Sequence, residues 1–249
     1  MDDRLERERH FHDERFAGEA RPADSFYAIN EASERYVREG IENAPKGALV
    51  LDYGCGDAAH CAMHAARHGH QAVAIDISDV AIEHARELAE REGVADRIDF
   101  RVMNAEALDF PDSSIDLVAG MGVIHHLDID PAMREIARVL KPTGAAIFVE
   151  PMGHNPVINL YRNRTPEQRS VDEHPLLVSD FETMRRHFGE IDATYFHLLG
   201  LLALPLRGRG GFERSLRVLD RADRALFRRV KPLRRHAWMV GLRLAQPVA

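Results

Sequence analysis

The chain, 249 residues long, is predicted to be an α/β protein. The expected architecture is a doubly wound, mostly parallel sheet of seven strands, with helical additions at the N-terminus and near the C-terminus. Three observations predict it. From about residue 48 onward, short apolar runs alternate with stretches of helical periodicity, the pattern of βαβ units joined by right-handed crossovers. The first run passes through a glycine turn, Gly54-Cys55-Gly56, straight into a helical pattern, which is the geometry of a nucleotide-type ligand site. The length is enough to bury a full core in one domain with an appendage.

Taken in order, residues 1–44 read as an N-terminal helical arm or lid. Residues 1–30 are a mobile, charged stretch punctuated by Phe11, Phe16, Phe26 and Tyr27, and 31–43 is a helix. The domain proper spans 45–249. It opens with strand 48–52, helix 58–68, strand 72–76, helix 80–92 and strand 98–103. Strand 117–121, helix 131–140 and strand 145–150 follow. Residues 151–175 are a long irregular insertion, a natural place for substrate contacts. Segment 181–187 is helical, 193–199 a strand, 212–230 a helix and 238–244 the last strand. Two insertions, 151–190 and 200–236, are expected to face the substrate.

Composition narrows the function. A net charge of −7 argues against general nucleic-acid binding, which needs a basic surface. The two cysteines, Cys55 and Cys61, cannot staple a fold of this size and fit a reducing cytoplasm. The first fifteen residues are too charged for a signal peptide, and the longest apolar run, 198–206, falls short of a membrane span. Charge is uneven, however. Residues 200–236 carry eleven Lys/Arg against three acids, Glu213, Asp220 and Asp223, which leaves the rest of the chain at −15.

In open α/β sheets, ligands bind outside the carboxyl ends of the strands, where strand order reverses. Asp52, Asp76, Asn104, Gly120 and Glu150 each fall at or just past one predicted strand end. Two cofactor classes compete for that site. Gly54-x-Gly56-x-x-Ala59, with Asp76 twenty residues past Gly56, satisfies the loose dinucleotide fingerprint. The acids beside the turn, Asp52 and Asp57, would repel a pyrophosphate and suit a ligand carrying an ammonium and a sulfonium.

Residues 51–56 (Leu-Asp-Tyr-Gly-Cys-Gly) resemble the first motif of class I S-adenosylmethionine-dependent methyltransferases, of a bacterial small-molecule type. The likeness extends through Ala74-Ile75-Asp76-Ile77-Ser78, Asn104-Ala105-Glu106, 110–116 and Val123-Ile124-His125-His126-Leu127. It ends with 134–144 and covers roughly residues 45–155. The resemblance implies S-adenosylmethionine as cofactor. Gly54 and Gly56 would let the backbone approach its methionine part, while Asp52 orders the turn and draws the ammonium group. Asp76 would accept both ribose hydroxyls. Asn104, Ala105 and Glu106 would flank the adenine with Ile77 on one face, and Gly120 or Met121 would lie under the sulfonium. Tyr27 could close over the cofactor as an aromatic lid. The family's third glycine is replaced here by Ala58.

Methyl transfer from a sulfonium needs alignment, exclusion of water and often removal of one proton. His125 and His126 follow the fourth strand toward the expected methyl position, and an imidazole is a suitable base for a hydroxyl. Past the fifth strand, Glu150, His154, Tyr161 and His174 are candidate substrate contacts. His60, His64 and His68 share one helical face; they read as a solvent-facing row, and no metal is assigned to them. Phe212, Leu216, Leu219, Leu226 and Val230, with arginines between, read as a cover helix, and as a peripheral membrane contact through 198–236 in a sharper version. The expected activity is methylation of a small molecule at a hydroxyl oxygen. N- or C-methylation is the alternative, together with a non-catalytic cofactor-binding or membrane-associated protein. Oligomeric state is left open.

Overall fold

A computed structural model describes residues 3–18 and 28–248. Seven strands form one sheet: β1 Leu49–Tyr53, β2 Gln71–Asp76, β3 Ile98–Val102, β4 Ile115–Met121, β5 Leu140–Pro151, β6 Phe188–Phe196 and β7 Met239–Pro247. Their spatial order is β3-β2-β1-β4-β5-β7-β6. The first five are mutually parallel, while β7 runs antiparallel to both β5 and β6. Strand order therefore reverses between β1 and β4, and a crevice opens at their carboxyl ends.

Period-two alternation sends each strand's residues to two cores. Val50, Ala72, Ala74, Leu117, Ala119 and Ile147 face one layer; Leu51, Val73, Ile75, Val118, Ala146 and Phe148 face the other. The first layer holds helices α2 Glu31–Glu42, α3 His60–Arg67 and α4 Asp79–Arg91, which contribute Val37, Ile41, Cys61, Ala62, Ala65, Ile82 and Ala85. The second holds α5 Ile129–Val139 and α7 Asp180–His187, contributing Ala132, Met133, Ile136, Phe181 and Met184. Buried strands with apolar residues on both faces are what a sheet covered on both sides requires.

Residues Asp3–Ala17, within the arm expected to be helical, form helix α1, docked over the crevice. Two segments depart from the sequence expectation. Inside the expected irregular insertion, α6 spans Pro156–Arg164, started by Asn155, whose Oδ1 accepts the Val157 and Ile158 N–H groups. The sixth strand lies earlier than expected, because Phe188 at its start is fully covered while His197, just past its end, turns to φ +61°.

The last helix, α8 Phe212–Arg229, buries Leu216, Asp223 and Phe227 against the preceding turn and the edge of the sheet. Asp223 accepts the N–H groups of Leu198, Leu199 and Gly200, so an acid fastens this arginine-rich segment. That is the cover-helix arrangement. No described residue of 200–236 lines either cavity of the site below; the segment packs beside the β6 edge of the sheet. Among the described residues, no helix is long and apolar enough to cross a membrane.

Candidate active site

A cavity of about 250 Å³ lies at the carboxyl ends of β1, β2 and β4, roofed by α1. Its floor is the β1–α3 turn. Gly54 and Gly56 have φ +68° and +58°, and a Cβ on Gly54 would come 2.3 Å from Val123 Cγ2, so only glycine fits there. The irregular third position shows itself one residue on: Ala59, wholly buried, is left-handed at φ +41° and caps α3 from that strained conformation.

Asp76 is the charged group aimed into this cavity. Its Oδ2 accepts Gly56 N–H at 2.9 Å and its Oδ1 accepts Ser78 N–H at 3.0 Å. Burial pushes its carboxyl up from the usual range, against those amide donors. Ser78 in turn caps α4 by accepting Ala81 N–H, and donates to Asp13 of α1 at 2.6 Å. Asp52 behaves differently. It is 2 % exposed and does not line the cavity; its Oδ2 accepts Ala62 N–H at 2.9 Å beneath the turn. Burial raises its pKa to about 7, so the loop carries less negative charge than the sequence suggests. Its geometry gives it the ordering of the turn and no reach toward the cavity.

Of the remaining cofactor candidates, Ile77, Asn104, Ala105 and Met121 line the cavity. Asn104 Oδ1 accepts Glu106 N–H at 2.9 Å, and Ala105 O accepts the Tyr53 hydroxyl at 2.6 Å, which pins the β3 end. Glu106 and Gly120 do not line it. Glu106 is taken by Arg4 Nη2 (2.7 Å) and by Asp128 N–H (2.8 Å). Gly120 is a packing glycine, since a Cβ there would meet Tyr53 O at 2.8 Å. Tyr27 lies outside the described residues.

The two adjacent histidines part company. Glu150, wholly buried, accepts Val123 and Ile124 N–H at 2.9 Å each, and its Oε2 lies 2.7 Å from His125 Nδ1. That bond orients the His125 ring, and neither His125 nor Glu150, expected as a substrate contact, is on the cavity wall. His126 instead lines the cavity and also a second, more open cleft of about 510 Å³. This cleft is bounded by Arg4, Leu127, Asp128, Asp130, Asp172, His174, Thr183 and Arg186. Of the other substrate candidates only His174 reaches it. Tyr161 donates to Gln168 Oε1, and His154 accepts His236 Nδ1 through its carbonyl, both off the cavity walls.

Sequence reasoning gave the roof as a helical arm or lid but did not name the residues it turns inward. Leu5, Glu8, His12 and Phe16 follow helical spacing along α1 and all face the cavity. Arg7 grips Asp172 with two bonds of 2.9 Å. Glu8 accepts Ser170 Oγ and lies 3.1 Å from His126 Nδ1 and 3.5 Å from His12 Nε2. Burial works to raise the Glu8 carboxyl, but its bonds to His12, His126 and Ser170 outweigh that and hold it well below the usual range. The periodicity of those four residues was the available signal. Within the histidine row, His60 turns into the cavity wall, while His64 and His68 meet Glu42 on the surface.

Comparison with known proteins fits this geometry. Residues 51–148 match the family described as a methyltransferase domain. Over 119 residues the chain is 35% identical to methyltransferase GfsG of Streptomyces halstedii, covering 47% of this chain and 43% of that protein. The chain spans half or less of the length of the first curated relatives it matches. A geranyl diphosphate C-methyltransferase from Streptomyces coelicolor A3(2), solved with Mg2+, geranyl diphosphate and S-adenosyl-L-homocysteine, superposes with a TM-score of 0.61. Identity there is 13%, over 88% of this chain and 80% of that one. The [4+2]-cyclase SpnF superposes with a TM-score of 0.57 at 22% identity, over 88% and 83%. Identities this low show a shared fold.

Proposed function

We propose, from the premise that residues 51–148 are a class I methyltransferase domain, that the chain transfers a methyl group from S-adenosylmethionine to a hydroxyl oxygen of a small-molecule acceptor. The observation that carries this reading is the cavity wall: Gly54 and Gly56, Asp76, Asn104 with Ala105, and Met121 converge there from four successive strand ends. These residues fit the cofactor. Asp76 lines the cavity with its carboxylate held by backbone amides, and a carboxylate has lone pairs enough to accept ribose hydroxyls as well. The glycine turn admits close approach, and Ile77 and Ala105 offer apolar surface to a flat base.

When bound, the cofactor supplies an electrophilic methyl on a sulfonium. The chain's own residues do the rest. Helix α1 closes the roof and excludes water. His126 stands where the cofactor cavity meets the wider cleft, so it is the histidine placed to touch the acceptor. His125 is a positioning residue, locked by Glu150, and orients the loop that carries His126. The cleft walls carry Arg4, Arg186, His174, Asp128, Asp130 and Asp172, a polar lining that supports an oxygen-bearing acceptor over an apolar carbon skeleton. Two free, buried cysteines suit a reducing compartment such as the cytoplasm.

A shared fold can host other chemistry, as the cyclase does, so the test must read the transfer itself. Wild-type chain incubated with S-adenosylmethionine and a panel of polyhydroxylated acceptors is expected to release S-adenosylhomocysteine in step with a product heavier by one methylene. In calorimetry, Asp76→Ala is expected to weaken S-adenosylhomocysteine binding about 100-fold, the scale of losing two charge-assisted hydrogen bonds. Unchanged binding would refute the cavity as the cofactor site.

A further inference from the structure

We infer that Glu8, His12 and His126 form a binding site for a divalent transition-metal ion of the zinc class, two ligands on the roof helix and one on the loop after β4. Their ligand atoms, a carboxylate oxygen and two imidazole nitrogens, all lie within 4.8 Å of one another. Glu8 Oε2 is 3.1 Å from His126 Nδ1 and 3.5 Å from His12 Nε2. An ion bonding nitrogen and oxygen at about 2.0–2.1 Å in tetrahedral geometry sets its ligands about 3.3–3.4 Å apart. Two of the three edges of the coordination face are therefore already at length. The third needs the two histidines, whose rings meet edge to face with centroids 4.9 Å apart, to close by at most about 1.4 Å.

The donor set is specific in chemistry. Two imidazoles and one carboxylate suit Zn2+, Co2+, Ni2+ or Fe2+ and do not suit the all-oxygen shells of Mg2+ or Ca2+. Its support is built as well. Ser170 Oγ holds the other Glu8 oxygen, and Arg4 Nη1 donates to the His126 carbonyl at 3.2 Å. All three residues line the cofactor cavity, so a four-coordinate ion held by three protein ligands keeps its open position toward that cavity. Two other His/carboxylate groups lack these properties. Glu42, His64 and His68 lie on the surface, and Glu173, the acid beside His125 and His126, is already paired with Arg162 at 2.7 Å.

Binding requires each imidazole to turn a ring-nitrogen lone pair toward the ion. Two of the three ligands sit on α1, so the ion staples the roof to the loop after β4. Its use in the reaction, binding the acceptor oxygen at the open position and making it more acidic, rests on the function proposed above; the site itself stands on the geometry alone.

The experiment uses the full chain stripped with chelator, in a His64→Ala/His68→Ala background that removes the surface cluster. Titration with Co2+ alone is expected to give one ion per chain with visible bands of low-coordinate cobalt, and Zn2+ is expected to displace it. Glu8→Gln, which keeps shape, and His12→Ala, on the partly covered face of α1, should each weaken binding at least tenfold. Zn2+ should raise the melting temperature of the parent and leave that of Glu8→Gln unmoved. Binding absent from the parent, or unaffected by both variants, overturns the site. Calorimetry of S-adenosylhomocysteine on the metal-free chain separates the two readings. Cofactor binding without metal binding defeats this inference alone, and metal binding without cofactor binding defeats the proposed function alone.

Discussion

The floor and the roof of the cavity are held by different kinds of bond. On the floor, carboxylates accept backbone N–H groups: Asp76 from Gly56 and Ser78, Glu150 from Val123 and Ile124, Asp52 from Ala62. On the roof, side chain meets side chain across long separations: Arg4 with Glu106, Arg7 with Asp172, Glu8 with Ser170 and His126. A floor made of buried acids and amides is rigid, because each amide would be orphaned if its acid were lost. The roof's outer ion pairs, Arg7–Asp172 above all, are partly exposed and so separable and weakened by salt, while Glu8 is buried beneath them. The molecule thus keeps its cofactor geometry fixed while leaving closure adjustable, as a site that must admit and release ligands requires.

The largest blow to the floor is Glu150→Ala. It orphans the buried amides of Val123, Ile124 and His125 and the His125 ring nitrogen, at about 1–3 kcal/mol each. We expect a loss of several kcal/mol in chemical denaturation, together with a fall in kcat, since the loop bearing His126 loses its anchor. Glu150→Gln keeps one acceptor oxygen and should cost markedly less in stability. An alanine variant within 1 kcal/mol of wild type would show that the loop is held by something other than this acid.

The matching blow to the roof is the double change Arg4→Ala/Arg7→Ala. Side-chain exposure is 21% at Arg4 and 51% at Arg7, so global stability should move by no more than about 1 kcal/mol. The expected effect is local: faster tryptic cleavage within residues 1–18 and a raised KM for the acceptor, both reproduced in wild type by added salt. Should this double variant destabilise the whole fold as far as Glu150→Ala does, the separation of floor from roof collapses.

The same division explains what the sequence could reveal. Alternating apolar runs predicted all seven strands, and the turn at Gly54 and Gly56 with Asp76 located the cavity, because both depend on residues close along the chain. Glu106 and Glu150 were expected to face ligands; in the fold their carboxylates also hold parts of the chain itself. Their partners, Arg4 and the amides of 123–125, depend on tertiary approach that no local spacing encodes. The roof was the least legible part. Its contacts join residues more than a hundred positions apart, and its helix is too polar to announce a buried face. Helix α6 was legible and missed: Asn155-Pro156 is a helix-start pair inside the segment expected to be irregular.

The subtlest test of the floor concerns Asp52. Its native pKa of about 7 lies above the unfolded value of about 3.9. The folded chain therefore holds a proton that the unfolded chain gives up between those limits, and this group's contribution to stability falls as pH rises from about 4 to about 7, then levels off. Asp52→Asn keeps a carbonyl oxygen for Ala62 N–H and removes the titration. The variant's melting temperature relative to wild type should therefore climb between pH 4 and pH 7 and stay constant above, by several degrees at about 2–4 °C per kcal/mol for a chain of this size. Cofactor affinity should stay nearly unchanged, because the carboxylate lies under the turn and off the cavity wall. A pH-independent difference in melting temperature, joined to a large loss of affinity, would return Asp52 to the cavity as a charged ligand. It would also make the floor's acids cofactor contacts, where here they serve as fasteners of the backbone.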